Sequence, residues 1–120
     1  MKTLILTFWL ILLAPAAHSP LLERPYLPDE GLCVVEFNAG FNSSNSVLWI
    51  DELSDCKGRR VNIGSSPDMQ KKHKIVVVPT VIIFNDGEEV ERFQANIMMQ
   101  LEASKRDVQD AVDEILMSSF

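Results

Sequence analysis

The apolar run at residues 80–84 (TVIIF) constrains this chain most, because a turn and a second strand candidate follow it at once. β-Branched and aromatic residues fill the run. Asn85-Asp86-Gly87 is turn chemistry that tolerates positive φ, and residues 88–94 return as an antiparallel partner. The other elements must be arranged around this hairpin. Residues 32–37 (LCVVEF) form a short apolar run suited to a buried strand, and residues 60–63 (RVNI) are a second strand candidate. Between them, Asn42-Ser43-Ser44-Asn45-Ser46 is dense in N-cap residues. Val47, Leu48, Ile50 and Leu53 behind it are spaced like one face of a helix. Ser66-Pro67-Asp68 supplies an N-cap, a first-turn proline and an acid, opening a short helix through about His73. Ser104-Lys105-Arg106-Asp107 resembles a capping box, and Val108, Ala111, Val112, Ile115 and Leu116 behind it mark an amphipathic helix. The resulting order is strand, helix, strand, helix, strand, strand, helix, an α/β sheet with both faces covered.

The apolar run at residues 4–13 follows Lys2 and precedes Ala14-Pro15-Ala16, in the pattern of an export signal. Cleavage is expected between Ala16 and Ala17, with Ser19/Pro20 as the alternative. The run is about half of the ~20 apolar residues that a membrane span needs, so no span is expected after cleavage. Residues 1–16 then form a leader, 17–31 an extended lead-in containing Pro20, Pro25 and Pro28, and 32–120 the folded domain. A secreted or periplasmic location in the cell envelope follows as an expectation. The net charge of −6 argues against general nucleic-acid binding, which needs a basic face. Two cysteines are too few for a disulfide scaffold and have no zinc spacing. His73 stands alone in a basic stretch (Lys57, Arg59, Arg60, Lys71, Lys72, Lys74), so no metal site and no cofactor is expected.

Two segments carry a family likeness. Val34-Val35-Glu36-Phe37-Asn38-Ala39 is similar to the strand that leads into the redox centre of thioredoxins. Val78-Pro79-Thr80 and the run that follows resemble that family's cis-proline segment and hairpin. The likeness spans residues 32–116 and implies a thioredoxin fold: a central mixed sheet flanked by helices, with a cis-proline before the antiparallel hairpin. The family's usual first strand and helix have no clear counterpart. Exported bacterial thioredoxin-like proteins are the members most like it.

By that resemblance, the redox Cys-x-x-Cys belongs six residues after Glu36, where this chain has Asn42-Ser43-Ser44-Asn45. Thiol–disulfide exchange needs a thiolate and a resolving sulfur, and asparagine amides supply neither. They donate and accept hydrogen bonds, which is a binding role. Phe41 stands where the family usually has tryptophan, and Ala95 where it has glycine. Glu36 takes the place of the buried acid, and its expected state is a carboxylate paired with a cation or held by hydrogen bonds. The implied groove for a peptide or protein partner comprises Phe41, Asn42, Ser43, Ser44, Asn45, Val78, Pro79 and Thr80, with Val78 offering main-chain bonds for strand addition. Ile97, Met98, Met99 and Leu101 form a second candidate contact surface or an extra core-packing turn. Asn42-Ser43-Ser44 is also formally a glycosylation acceptor.

Cys33 begins the first strand and Cys56 precedes the second, so a disulfide between them and two unpaired thiols are both open. The leading reading is an exported protein of this fold without dithiol activity, acting as a chaperone-like module or an accessory subunit of an envelope complex. One alternative is a divergent thiol–disulfide oxidoreductase using Cys33 and Cys56. Another is a structural subunit using Met98, Met99 and the acidic last helix.

Overall fold

The computed structural model describes residues 27–120. The leader at 1–16, both cleavage positions and the first part of the lead-in (17–26) lie outside the described residues. Seven elements follow: β1 (Leu32–Asn38), a 3-10 segment (Gly40–Asn45), β2 (Lys57–Asn62), α1 (Pro67–Lys72), β3 (Thr80–Asn85), β4 (Glu88–Gln94) and α2 (Lys105–Ser118). The four strands make one sheet in the order β2-β1-β3-β4. β1 runs parallel to β2 and antiparallel to β3, and β3 is antiparallel to β4. The mixed sheet and flanking helices are those of a thioredoxin fold.

β1 is buried along its whole length, which explains why its sequence is nearly continuous in apolar residues rather than alternating. Its even-numbered residues Leu32 and Val34 join Val81, Ile83 and α2 residues Val108, Ala111 and Val112 on one face. Its odd-numbered residues Cys33, Val35 and Phe37 join Val61, Ile75, Val78, Ile82 and Phe84 on the other. The hairpin turn places Asp86 at φ 52° and Gly87 at φ 84°, the double positive φ that suits a two-residue connection between twisted strands. Asp86 also closes onto the start of β1: its carboxylate accepts from the Gly31 N–H at 2.7 Å, and its own N–H donates to the Gly31 carbonyl at 3.0 Å. α2 begins with the expected capping box between Ser104 and Asp107.

The first expected helix is absent. Residues 47–53 form separate turns, with the Ile50 N–H donating to the Val47 carbonyl and the Glu52 N–H to the Trp49 carbonyl. Val47, Ile50 and Leu53 are still buried, whereas Leu48 stands in solvent. A spacing of three, met by turns closing i to i+3, therefore buries the same residues that suggested a helical face. The segment lies directly on β2: a Cβ at Gly58 would sit 2.2 Å from the Ile50 carbonyl oxygen.

Gly58→Ala is accordingly expected to destabilise the chain by about 1–3 kcal/mol, the usual range for overpacking. Gly40→Ala is the control, because nothing lies within 4 Å of its would-be Cβ. Urea unfolding of both variants checks this, and equal midpoints for the two would contradict the close packing of 47–53 on β2.

Candidate functional site

Glu36 alternates onto the inner face of β1 and is buried. One carboxylate oxygen accepts from the Val47 N–H at 2.8 Å, and the other from Arg60 Nε at 3.2 Å. Arg60, across the parallel pair on β2, also donates to the Val47 carbonyl at 2.8 Å and the Leu48 carbonyl at 3.4 Å. The Val47 carbonyl also accepts from the Ile50 N–H, so the guanidinium fastens a turn of 47–53 to β2. Burial raises the Glu36 pKa above its ordinary value, while the Val47 N–H, Arg60 and Asn38 act against that rise.

The 3-10 segment leaves β1 through Ala39 and Gly40 and turns Asn42 inward. Asn42 is buried, and its amide is a hub. Nδ2 lies 3.2 Å from Asn38 Oδ1, 3.3 Å from the Val78 carbonyl and 3.1 Å from the Met99 carbonyl. Its two hydrogens are shared among these three acceptors. Oδ1 accepts from Asn45 Nδ2 at 2.8 Å, and the Asn42 carbonyl accepts from Asn38 Nδ2 at 3.2 Å. Asn42 thus ties together the 3-10 segment, the segment before β3 and the loop after β4. A buried amide committed in this way is closed to glycosylation in the folded chain.

The Val78–Pro79 peptide bond is cis, and Val78, Pro79 and Thr80 are buried. Thr80 Oγ1 donates to the Val77 carbonyl, Asn42 Nδ2 to the Val78 carbonyl and the Ala95 N–H to the Pro79 carbonyl. Each carbonyl of 77–79 therefore already accepts one internal bond, and strand addition through Val78 would use the second lone pair of its carbonyl. Of the eight expected groove residues, Phe41, Ser43 and Ser44 are exposed and Asn45 half-buried. The other four support the site from beneath.

The loop after β4 is built by Asn96, whose side-chain oxygen accepts from the Met98 and Gln100 N–H groups while its own N–H donates to the Gln100 carbonyl. This tight loop turns Ile97 fully outward, at 99% exposure, with Met98 also exposed. The core-packing reading of that turn is therefore corrected for Ile97 and Met98, and only Leu101 packs against the core. Phe41, Val76, Val78, Ile97 and Met99 line one apolar groove of about 320 Å³, with Gln70 and Asn96 at its polar margin. Phe41 and Val78 of the expected groove thus share one concavity with Ile97 and Met99 of the second surface, while Ser43 lines a separate cavity with Glu36 and Arg60, and Ser44, Asn45 and Leu101 line another. Val76, 78% exposed, was missed by sequence reasoning, and its signal was the Val76-Val77-Val78 run ahead of Pro79.

The cysteines do not join this site. Both are free, and the register sets Cys33 opposite Lys57, not Cys56. Cys33 belongs to one face of the sheet, while Cys56 packs against the core of the other. The bridge left open by the sequence is therefore not formed, because adjacent positions along a strand point to opposite faces. Burial pushes the Cys56 thiol up to about 11, helped by Cys33, Asp55 and Asp113. Burial raises Cys33 as well, against the pull of Arg59 and Lys57. Among the described residues, no group of three or more His, Cys, Asp or Glu side chains is placed to hold a metal ion, and no helix is long and apolar enough to cross a membrane.

The fold is similar to that of Schistosoma mansoni thioredoxin, at TM-score 0.57 and 23% identity over 72% of this chain and 78% of that one. A mutant thioredoxin from Halobacterium salinarum gives TM-score 0.56 and 17% identity over 72% and 75%. Fasciola hepatica thioredoxin gives 0.52 and 19% over 72% and 83%. No protein-family model matches the sequence, and no curated protein does. The chain therefore has a thioredoxin-like fold.

Two outcomes are expected at these residues. Iodoacetamide should modify Cys56 in the native chain at pH 8 on the order of a hundredfold more slowly than in urea, because only the thiolate reacts. Its rate should rise about tenfold per pH unit towards pH 11. Modification at the unfolded rate would contradict the burial of this thiol. Asn42→Ala leaves the Val78 and Met99 carbonyls without their shared donor, and an unsatisfied buried group costs about 1–3 kcal/mol. Thermal unfolding reads that loss, and an unchanged Tm would contradict the role of the amide as a tie.

Proposed function

We propose that this chain binds an extended apolar segment of a protein partner in the groove between Phe41, Val76, Ile97 and Met99, without dithiol chemistry. The observation that carries the reading is the convergence of exposed apolar side chains from three separate segments onto one concavity. Exposed apolar residues brought together in this way mark interaction surfaces. Met99 adds an adaptable contact at the groove, because a thioether side chain fills irregular space. Affinity in this reading comes mainly from side-chain burial, since each carbonyl of 77–79 already accepts one internal bond.

The absence of Cys-x-x-Cys from the sequence supports a role that does not depend on thiol exchange. Asn42 takes up the place next to the Val78 carbonyl with an amide whose donors and acceptor are used internally. The leader pattern at residues 1–16 makes the cell envelope or the exterior the proposed place of action, as a chaperone-like module or an accessory subunit. The second reading, thiol exchange through Cys33 and Cys56, is disfavoured by their separation on two faces and by the raised pKa of both thiols.

Panning a random, cysteine-free peptide library on the immobilised protein tests the groove. Selected peptides are expected to be rich in Leu, Val and aromatic residues. Val76→Asp and Ile97→Asp should each weaken their binding at least tenfold, about 1.4 kcal/mol, with Tm unchanged because both side chains face solvent. Selected peptides that bind both variants as tightly as the parent would overturn the reading.

A further inference from the structure

We infer that His73 is a pH-sensitive latch at the start of the segment that walls the groove: its neutral ring holds residues 73–78 against the sheet, and protonation releases them. The inference rests on the groove reading only for its consequence; the latch itself stands on local geometry. His73 ends α1, and the residues that follow it run directly into Ile75, Val76, Val77 and Val78, which line the groove. Its ring lies between two aromatic side chains of the sheet, 5.4 Å from Phe37 and 5.1 Å from Phe84 between ring centroids. The Nε2 atom is buried there without a hydrogen-bond partner among the described residues.

A neutral imidazole tolerates that slot as an apolar ring. An imidazolium does not, because both ring nitrogens then donate and the buried Nε2–H has no acceptor within reach. The surrounding charges do not compensate. β1 and β3 present Phe37 and Phe84 to the ring, and Cys33 is the ionisable side chain on that same face of β1. Lys72 on α1 and Arg92 on β4 oppose a positive charge. Glu89 on β4 favours one, but Arg92 already binds both of its carboxylate oxygens, at 2.9 and 2.7 Å. Asp29 of the lead-in lines the small adjoining cavity together with Lys72. Burial and the two cations accordingly hold the His73 pKa below its ordinary value, with Glu89 acting the other way.

Release has a local route. Lys74, immediately after the ring, sits at φ 54°, a left-handed conformation that a lysine keeps only while its neighbours enforce it. Arg92 donates to the His73 and Lys74 carbonyls at 2.7 and 3.1 Å, so the ring and this guanidinium are two anchors of one short segment. Because the folded ring binds its proton more weakly than the unfolded chain does, the stability it lends is complete above about pH 6.5. That stability is lost as pH falls through the lower folded-state value.

Hydrogen exchange on the full chain between pH 7.5 and 5.0, corrected for the chemical rate, is the test. The His73, Lys74 and Ile75 amides, which donate to the Met69, Lys71 and Gln70 carbonyls, are the reporters, and α2 amides are the internal standard. The expected result is protection of the three reporters that falls by up to about tenfold per pH unit between about pH 6.5 and the His73 midpoint and levels off below it, with α2 unchanged. His73→Phe keeps an aromatic ring and His73→Gln keeps a neutral polar group, and neither should show the fall. Flat protection in the parent chain, or the same fall in both variants, would overturn the latch. A His73 midpoint at or above 6.5 by NMR would overturn it too. A library-selected groove peptide should bind more weakly at pH 5.0 than at 7.5 in the parent alone. If its affinity stays unchanged while the reporters lose protection, the latch stands and the groove reading fails.

Discussion

A buried carboxylate has to find donors, and the way Glu36 finds them organises the connection between the two parallel strands. Its oxygens take the Val47 N–H and Arg60 Nε, and the same guanidinium takes the Val47 and Leu48 carbonyls. Removing one partner of such a buried arrangement leaves an uncompensated charge or donor, which costs far more than the pair contributes. The connection is therefore pinned at Val47, and residues 47–53 lie flat on β2 with Gly58 beneath Ile50. Upstream of that pin, the short 3-10 segment holds Asn42 where its amide meets the Val78 and Met99 carbonyls. The groove wall is thus fixed from inside by polar bonds, while its outer surface remains apolar.

This division between polar support and apolar surface bears on what the site does. An amide at position 42 holds three segments in place, and none of its atoms is a nucleophile. Exposed Phe41, Val76 and Ile97 come from the 3-10 segment, the segment before β3 and the loop after β4. Their relative positions depend on the Asn42 hub and on Asn96, which shapes the last of these loops. A groove assembled by buried amides is suited to holding a partner, and in the proposed account it is sensitive to acid through one adjoining histidine.

The parts of this structure legible in the sequence are those set by local rules. The hairpin follows from β-branched residues around Asp86-Gly87, α2 from its capping box and apolar stripe, and β1 from an apolar run interrupted only by Glu36 before Phe37. The segment 47–53 misled because Val47, Ile50 and Leu53 satisfy a spacing that turns and helices share. Arg60, distant in sequence, adds bonds to the Val47 and Leu48 carbonyls that no local pattern announces. The site was legible in part. Phe41, Val78, Ile97 and Met99 are legible as members of two separate candidate surfaces, but their meeting in one groove depends on where Asn42 and Asn96 hold their loops, and those bonds span up to 57 residues of sequence. The pairing of the cysteines was likewise undecided until strand register placed them on opposite faces.

Insulin-disulfide reduction, with a Cys33→Ser/Cys56→Ser variant beside the parent chain, tests most directly that this fold holds a partner rather than exchanging thiols. The account predicts no turnover above background for either protein. Turnover by the parent that disappears in the double variant would contradict it, and would make Cys33 and Cys56 a redox pair although both are free in this structure.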